Sequence, residues 1–499
     1  MTSSNPIREA LGAGRFSYIV ELVASAKTPE ERLNEIGGEL AQVPGVIAAG
    51  ITSFAGGTVG QDPIRIGAGV RARGLTPNVH LTCVNHSRQE LIRSLQQLHT
   101  LEIENVFAIT GDYPRTSDPT AKVDYDLDSV QLVELINEMR QQGLPFHISV
   151  AVSPFKYTEA DCAYQYLKLE KKIAAGADFA ITQLGYDVRK FRELKRYLDE
   201  RGLKTPVFGN VYILPAGAAR KFAKGEPPGC WASQELVDIV TEEAKAPDKG
   251  LAARLERAAR TVAVLRGLGY AGAYIGGDHS AERIRGIIER SEAIAPNWEE
   301  HAEELVYAPK GGFYFFDSPK TPPKPRELAQ RAMDVLEPAN TPAPLRSILR
   351  GVLGWVDRHP SAAHALERAE YKFKAAEFGC QACGNCVLGL MEYVCPMTCP
   401  KNLRNGPCGG TLNGQCEVLP DKACVWVKVY ERAKDANRVE ELKVYIPQRD
   451  RSLEGTSSYI NYYLGRDSRP EHPQPLISIN SLGASAPVES KKPPPASNA

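Results

Sequence analysis

Between Phe16 and about Ile294, short apolar runs alternate with longer segments whose apolar positions recur at helical spacing. The runs Phe16–Ala24, Val46–Phe54, Asn78–Val84, Val106–Gly111, His147–Ser153, Phe179–Leu184, Val207–Leu214 and Gly272–Gly276 read as strands. Most show little polar alternation, which predicts parallel strands covered on both faces. Helices are predicted over Ser87–Leu98, Val130–Gln142, Glu159–Ala175 and Val188–Arg201. In the third of these, Cys162, Tyr166, Leu169 and Ile173 form one apolar face, and Gly176 follows as a helix stop. Eight such units predict a closed (β/α)8 TIM barrel. An open doubly wound sheet is the alternative, but no Gly-x-Gly-x-x-Gly follows the first strand.

After the barrel the pattern changes. Ser318 to Pro325 and Pro338 to Pro344 are proline-rich and read as stiff, extended chain. A short helix is predicted from Glu327 to Leu336, and a longer helical region from Leu345 to Phe378. The expected organisation is a barrel over 1–300, a linker with a helical segment over 301–372, a cysteine-rich module over 373–440 and a C-terminal extension over 441–499. From Arg466 onward, Pro, Ser and charged residues predict disorder.

Composition narrows the function classes. Lys plus Arg equals Asp plus Glu at 60 each, without a basic stripe, which argues against nucleic acid and anionic membranes as general partners. The longest uncharged run, Leu40 to Gln61, is dominated by Gly, Ala, Ser and Thr, and reads as a strand and loop, not a membrane span. Met1 to Phe16 lacks an apolar export core. A cytoplasmic protein, working as a homo-oligomer, is expected.

The cysteines add metal chemistry. Eight of 11 fall in one stretch: Cys380, Cys383, Cys386, Cys395, Cys399, Cys408, Cys416 and Cys424. Thiols at that density are either crosslinked or metal-bound. A disulfide framework suits small secreted domains, and a lone zinc site commonly takes two Cys-x-x-Cys pairs. The triplet Cys380-x-x-Cys383-x-x-Cys386 and the Cys-Pro steps at Cys395 and Cys399 fit iron–sulfur ligation better. The reading is one or two iron–sulfur clusters, with zinc as the alternative; the pairing of the cysteines stays open.

In a TIM barrel the site lies at the C-terminal ends of the strands. That rule selects Glu21, Thr52, His80, Thr110, Gly111, Asp112, Ser153, Gln183 and Asp278. Glu21 and Asp112 are candidates for a general acid and a fixed anion. Each also has a plainer reading: Glu21 as an ion-pair partner, Asp112 as a turn residue, His80 as a core histidine, Gln183 as a cap for rim backbone.

Several short motifs in register carry a more specific resemblance. Val20-Glu21-Leu22, His80-Leu81-Thr82-Cys83, Thr110-Gly111-Asp112-Tyr113-Pro114, Ile148-Ser149-Val150-Ala151 and Ala175-Gly176-Ala177-Asp178 leading to Ile181-Thr182-Gln183 resemble methylenetetrahydrofolate reductases. The cysteine stretch resembles the C-terminal module of some bacterial members. The resemblance implies flavin-mediated interconversion of 5,10-methylene- and 5-methyltetrahydrofolate. FAD is the implied flavin, with FMN as the alternative, and the electron partner is NAD(P)H or a redox protein such as ferredoxin. It gives Glu21 the role of protonating a folate ring nitrogen, opening the methylene bridge to an iminium cation. Asp112 would stabilise that cation and contact the pterin, and Gln183 would contact folate. Thr52, His80, Thr110, Gly111, Asp112, Ala151, Ser153 and Lys172 would line the flavin site. Thr110 stands where an arginine is usual, Tyr157 stands near the place of a flavin-contacting histidine, and Gln165 and Lys168 replace polar contacts to the adenosine side of FAD. A competing reading is a folate-dependent methyltransferase barrel with a thiolate–zinc module and no flavin.

Overall fold

The fold is that of a computed structural model, which describes residues 5–52, 57–114, 123–317, 322, 324 and 328–467. The stretch from Ser318 to Pro325 lies almost wholly outside the described residues, and so does the tail from 468 onward. Among the described residues, the strands are β1 (Ser17–Val23), β2 (Val46–Thr52), β3 (Thr76–Thr82), β4 (Asn105–Ile109), β5 (His147–Val152), β6 (Phe179–Thr182), β7 (Val207–Tyr212) and β8 (Gly272–Gly276). They pair in parallel in chain order, and β8 closes onto β1 with Ser17 opposite Gly272. Each apolar run read from the sequence is therefore a barrel strand, with ends shifted by up to a few residues.

Two layers of core explain why these runs lack alternation. Ile19, Ala48, Phe107, Phe179, Ile181, Phe208 and Tyr274 fill the barrel interior, and Ile7 of the helix Pro6–Gly12 joins the same cluster. The outward-facing strand residues Val20, Val79, Val106, Ile148 and Ala180 pack under the surrounding helices. Strand residues are thus apolar on both sides, as in any sheet wrapped by helices.

The helices begin where sequence chemistry places their caps. Ser87 and Glu90 form a reciprocal capping box at the start of Arg88–Thr100. Asp128 and Gln131 do the same for Ser129–Gln141. The helix Glu159–Ala174 ends at Ala175, and Gly176 follows with φ +117°. The helical region expected from Leu345 to Phe378 is made of two helices, Ala343–Asp357 and Pro360–Phe378. Pro360 disfavours helical geometry at the residue before it, and His359 adopts an extended conformation there.

The cysteine-rich module does not hang from the barrel; it packs across it. The helix Val425–Asp435 lies on Glu159–Ala174, with Trp426, Val429, Tyr430 and Ala433 against Ala160, Ala163, Tyr164 and Leu167. Tyr164 meets Trp426 edge-on at 5.5 Å between ring centroids. Asp128 ties the two parts together. One of its oxygens accepts from the Val130 and Gln131 amides at 2.9 and 3.2 Å, capping its own helix. The other accepts from the Arg404 and Asn405 amides and from Asn405 Nδ2 at 3.1, 2.9 and 3.0 Å. Asp128→Ala removes a cap and strands buried donors of the module, and is expected to cost about 2–4 kcal/mol in denaturant unfolding. A loss within about 0.5 kcal/mol, typical of neutral surface sites, would mean the seam is held elsewhere. Among the described residues no helix is long and apolar enough to cross a membrane.

Candidate functional site

The C-terminal ends of the strands open into a cavity of about 370 Å³. Glu21, Thr52, His80, Thr110, Gly111, Asp112, Ala151, Ser153, Lys172 and Gln183 all line it. Residues up to 162 positions apart in the chain, Glu21 and Gln183, are thus brought to one mouth. Asp278, also selected by the rim rule, pairs instead with Arg283 at 2.7 Å.

The geometry sorts the carboxylates. Glu21 comes from β1 and sits beside Gly276 of β8, where a Cβ would lie 2.7 Å from its Oε2. A side chain at 276 would collide with the carboxyl. Burial raises the Glu21 carboxyl to about 7, so it holds a proton near neutrality. Asp112 follows Gly111 just beyond β4. Gly111 adopts φ +85°, and a Cβ there would lie 2.8 Å from a methyl of Val84, so this turn requires glycine on both counts.

Other mouth residues are fixed from below. His80 Nε2 lies 3.2 Å from the hydroxyl of Tyr274, and the ring meets Phe107 edge-on at 4.6 Å. Burial lowers its pKa to about 3, so it offers a neutral ring. Lys172 Nζ donates to the Ala151 carbonyl at 2.7 Å, and burial lowers its pKa to about 7. Gln183 Oε1 accepts from the Leu184 amide at 2.9 Å, the rim contact that its plainer reading anticipated, while the residue still lines the cavity. Ser153 Oγ is buried and has no hydrogen-bond partner among the described residues, although it faces the cavity. A buried hydroxyl without a partner marks a place for a ligand atom or water. Tyr157 donates to Asp187 at 3.3 Å and is not part of the cavity wall.

Sequence reasoning missed one wall and the roof. Tyr212, Phe222 and Cys230 form an apolar side beyond β7. Burial pushes the Cys230 thiol up to about 12. Phe222 closes the helix Ala216–Phe222, and an aromatic residue after β7 was the available signal. The roof is Lys401, Pro407, Cys408, Gly409, Gly410 and Glu417 of the C-terminal module. No local pattern could have placed them there, because they are more than 120 residues from even the nearest of the strands they cover. Lys401 Nζ donates to the Gly111 carbonyl at 3.0 Å and is ion-paired with Glu417. Burial alone would lower the Lys401 ammonium, but Glu417 and its other anionic neighbours outweigh it and hold the group charged.

The eight module cysteines fall into two groups. Cys380, Cys383, Cys386 and Cys395 surround one small cavity, and their thiols act on one another. Burial first, then those three neighbours, pushes Cys395 up to about 12. Cys399, Cys408, Cys416 and Cys424 form the second group by the same mutual influence. Cys408 belongs both to that group and to the roof of the mouth. No disulfide joins any two cysteines among the described residues. Among the described residues no three His, Cys, Asp or Glu side chains are arranged to hold a metal ion.

Comparison with known proteins follows the same division. A family model described as methylenetetrahydrofolate reductase matches residues 12–237, and one described as methylene-tetrahydrofolate reductase C terminal matches 359–452. The chain is similar to a 5,10-methylenetetrahydrofolate reductase of Salmonella typhimurium, 31% identical over 160 residues, covering 31% of this chain and 50% of that one. A Pectobacterium carotovorum protein of the same description is 30% identical over 152 residues, covering 30% and 47%. A Caenorhabditis elegans protein described as a probable methylenetetrahydrofolate reductase (NADPH) is 26% identical over 155 residues, covering 30% and 22%. The matched regions span half the length or less of these relatives. With a closed eight-stranded barrel and a mouth that gathers the carboxylates, the chain is similar to methylenetetrahydrofolate reductases over residues 12–237, and to their C-terminal region over 359–452.

Proposed function

We propose that the protein is a flavin-dependent methylenetetrahydrofolate reductase, interconverting 5,10-methylenetetrahydrofolate and 5-methyltetrahydrofolate. The observation that carries this reading is the pair Glu21 and Asp112 in one cavity, with the Glu21 carboxyl raised to about 7 by burial. A carboxyl tuned to that value is protonated often enough to donate, and its conjugate base is strong enough to take the proton back. Glu21 delivers that proton to a folate ring nitrogen and opens the methylene bridge. Asp112, fixed by the glycine turn before it, places negative charge where the iminium cation develops. Gln183 is oriented by its bond to the Leu184 amide and turns its amide nitrogen to the folate. Tyr212 and Phe222 offer the flat apolar wall that a pterin or aryl ring needs.

The residues of the mouth fit a flavin. Thr52, His80, Thr110, Gly111, Ala151 and Lys172 surround one space, and the unpartnered Ser153 hydroxyl faces it. Bound flavin supplies the hydride chemistry that no side chain can. Neutral His80 and the Lys172 ammonium orient it, while the module roof keeps bulk water out.

The two cysteine quartets are proposed to hold iron–sulfur clusters, with zinc as the alternative. Four cysteines per group supply the ligand number of either, although among the described residues no three of them converge on one metal position in this arrangement. The quartet that includes Cys408 adjoins the mouth, which supports electron delivery from a redox protein such as ferredoxin as well as from NAD(P)H. Such a thiol-rich module suits the reducing cytoplasm. Anaerobic absorbance with metal analysis tests the reading: flavin bands with iron and sulfide are expected, and a colourless, zinc-loaded protein would favour the methyltransferase reading. Cys395→Ser is expected to remove about half of the metal, since one quartet of the two is broken. Loss of all of it would show that the quartets are not independent.

A further inference from the structure

The part of the mouth that a dinucleotide would need is already filled by this chain. Gln165 Nε2 donates to the carbonyl of Cys408 at 2.9 Å. Lys168 Nζ donates to those of Gly406 and Pro407 at 3.1 and 2.9 Å, and Lys156 Nζ to that of Gly409 at 2.7 Å. Gln165 and Lys168 occupy the positions that, by the family resemblance, face the adenosine side of FAD. Here both are buried, and each donates to carbonyls of the loop Gly406–Gly410. Withdrawing the loop would leave buried ammonium and amide groups without acceptors, so it is a fixed wall and not a lid. FAD therefore does not fit the donor set that this chain presents.

What remains open fits a shorter ligand. The cavity, at about 370 Å³, stands near the low end of the roughly 300–1,000 Å³ typical of ligand sites, and it must also admit a folate. Lys168 and Lys172, one turn apart on the helix Glu159–Ala174, both line it, Lys168 against the loop and Lys172 against Ala151. An ammonium has three donors. Lys168 uses two on the loop carbonyls and Lys172 one on Ala151, so donors remain for an anion. Burial and mutual repulsion lower the Lys172 ammonium, and a bound anion would relieve both effects.

We propose that the flavin held in this mouth is the mononucleotide, its single phosphate received by Lys168 and Lys172, with the loop Gly406–Gly410 in the place of the adenosine half. This rests on the flavin-dependent reading above. The test uses the full chain as purified: the flavin is released by denaturation and identified by mass. Flavin-free full chain is then titrated with FMN, FAD and riboflavin, following quenching of flavin fluorescence. FMN is expected as the released flavin, binding at least about tenfold tighter than FAD. Lys172→Met is expected to weaken FMN at least about tenfold while leaving riboflavin, which lacks the phosphate, within about twofold. Release of FAD, or equal affinity for FAD, overturns the inference and leaves the reductase reading standing. Failure to bind any flavin overturns both.

Discussion

Glu21→Gln is expected to lower folate turnover by about 10²–10⁴-fold, the usual contribution of a positioned general acid. Flavin content and unfolding temperature should stay near those of the parent. Glutamine keeps the shape of the side chain, and it removes a buried group whose charged form the site disfavours. Only the transferable proton is lost. The pH profile carries a second, independent mark. In the reductive direction the protonated carboxyl is the active form, so kcat/KM should fall as pH rises through about 7, the value to which burial raises Glu21. In the oxidative direction the carboxylate must accept the proton, and the same limb should rise. Glu21→Gln should flatten that limb in both directions. Near-normal turnover in the variant would remove Glu21 from the reaction, and an unmoved limb would assign the titration to another group.

Lys401→Met is expected to destabilise the protein by about 3–5 kcal/mol, as when one partner of a buried ion pair is deleted. Lys401 and Glu417 are each only 2% exposed, so solvent does not screen the pair. The variant leaves the Glu417 carboxylate buried and uncompensated. It also frees the Gly111 carbonyl, to which Lys401 donates at 3.0 Å. That second loss loosens the turn that carries Asp112, so folate turnover should fall with stability. Lys401→Met combined with Glu417→Gln should recover most of the loss, and the double-mutant cycle reads the coupling directly. Denaturant unfolding followed by tryptophan fluorescence is the measurement. A cost below about 1 kcal/mol would place the pair among ordinary surface bridges, and the module would then be less tightly seated on the mouth.

How much of this was legible in the chain depends on the range of the interaction concerned. The strands were legible because each is a continuous apolar run, and both faces of a barrel strand are covered. The break between Asp357 and Pro360 was not predicted, although Pro360 itself was the signal. The mouth residues from Glu21 to Gln183 followed from one topological rule, that barrel sites lie at strand C-termini. Their motifs then narrowed the chemistry.

The helix Glu159–Ala174 shows where the reading stopped. Its apolar face, Cys162, Tyr166 and Leu169, was visible from periodicity and packs on the barrel. Its polar positions beside and opposite that face carry Gln165, Lys168, Lys171 and Lys172, and all four are buried. The module covers two of them, and Lys172 turns to the Ala151 carbonyl of the barrel. Lys168 meets Gly406 across 238 positions, and Gln165 meets Cys408 across 243. The pairing of the cysteines, the roof over the mouth and the space left for a cofactor have the same origin. The sequence by itself determined the barrel, its mouth and the eight thiols, because local periodicity, turn chemistry and motif spacing are written within a few residues. Only the tertiary structure decided which polar side chains are buried and what they hold, because burial depends on distant segments whose encounter leaves no local trace.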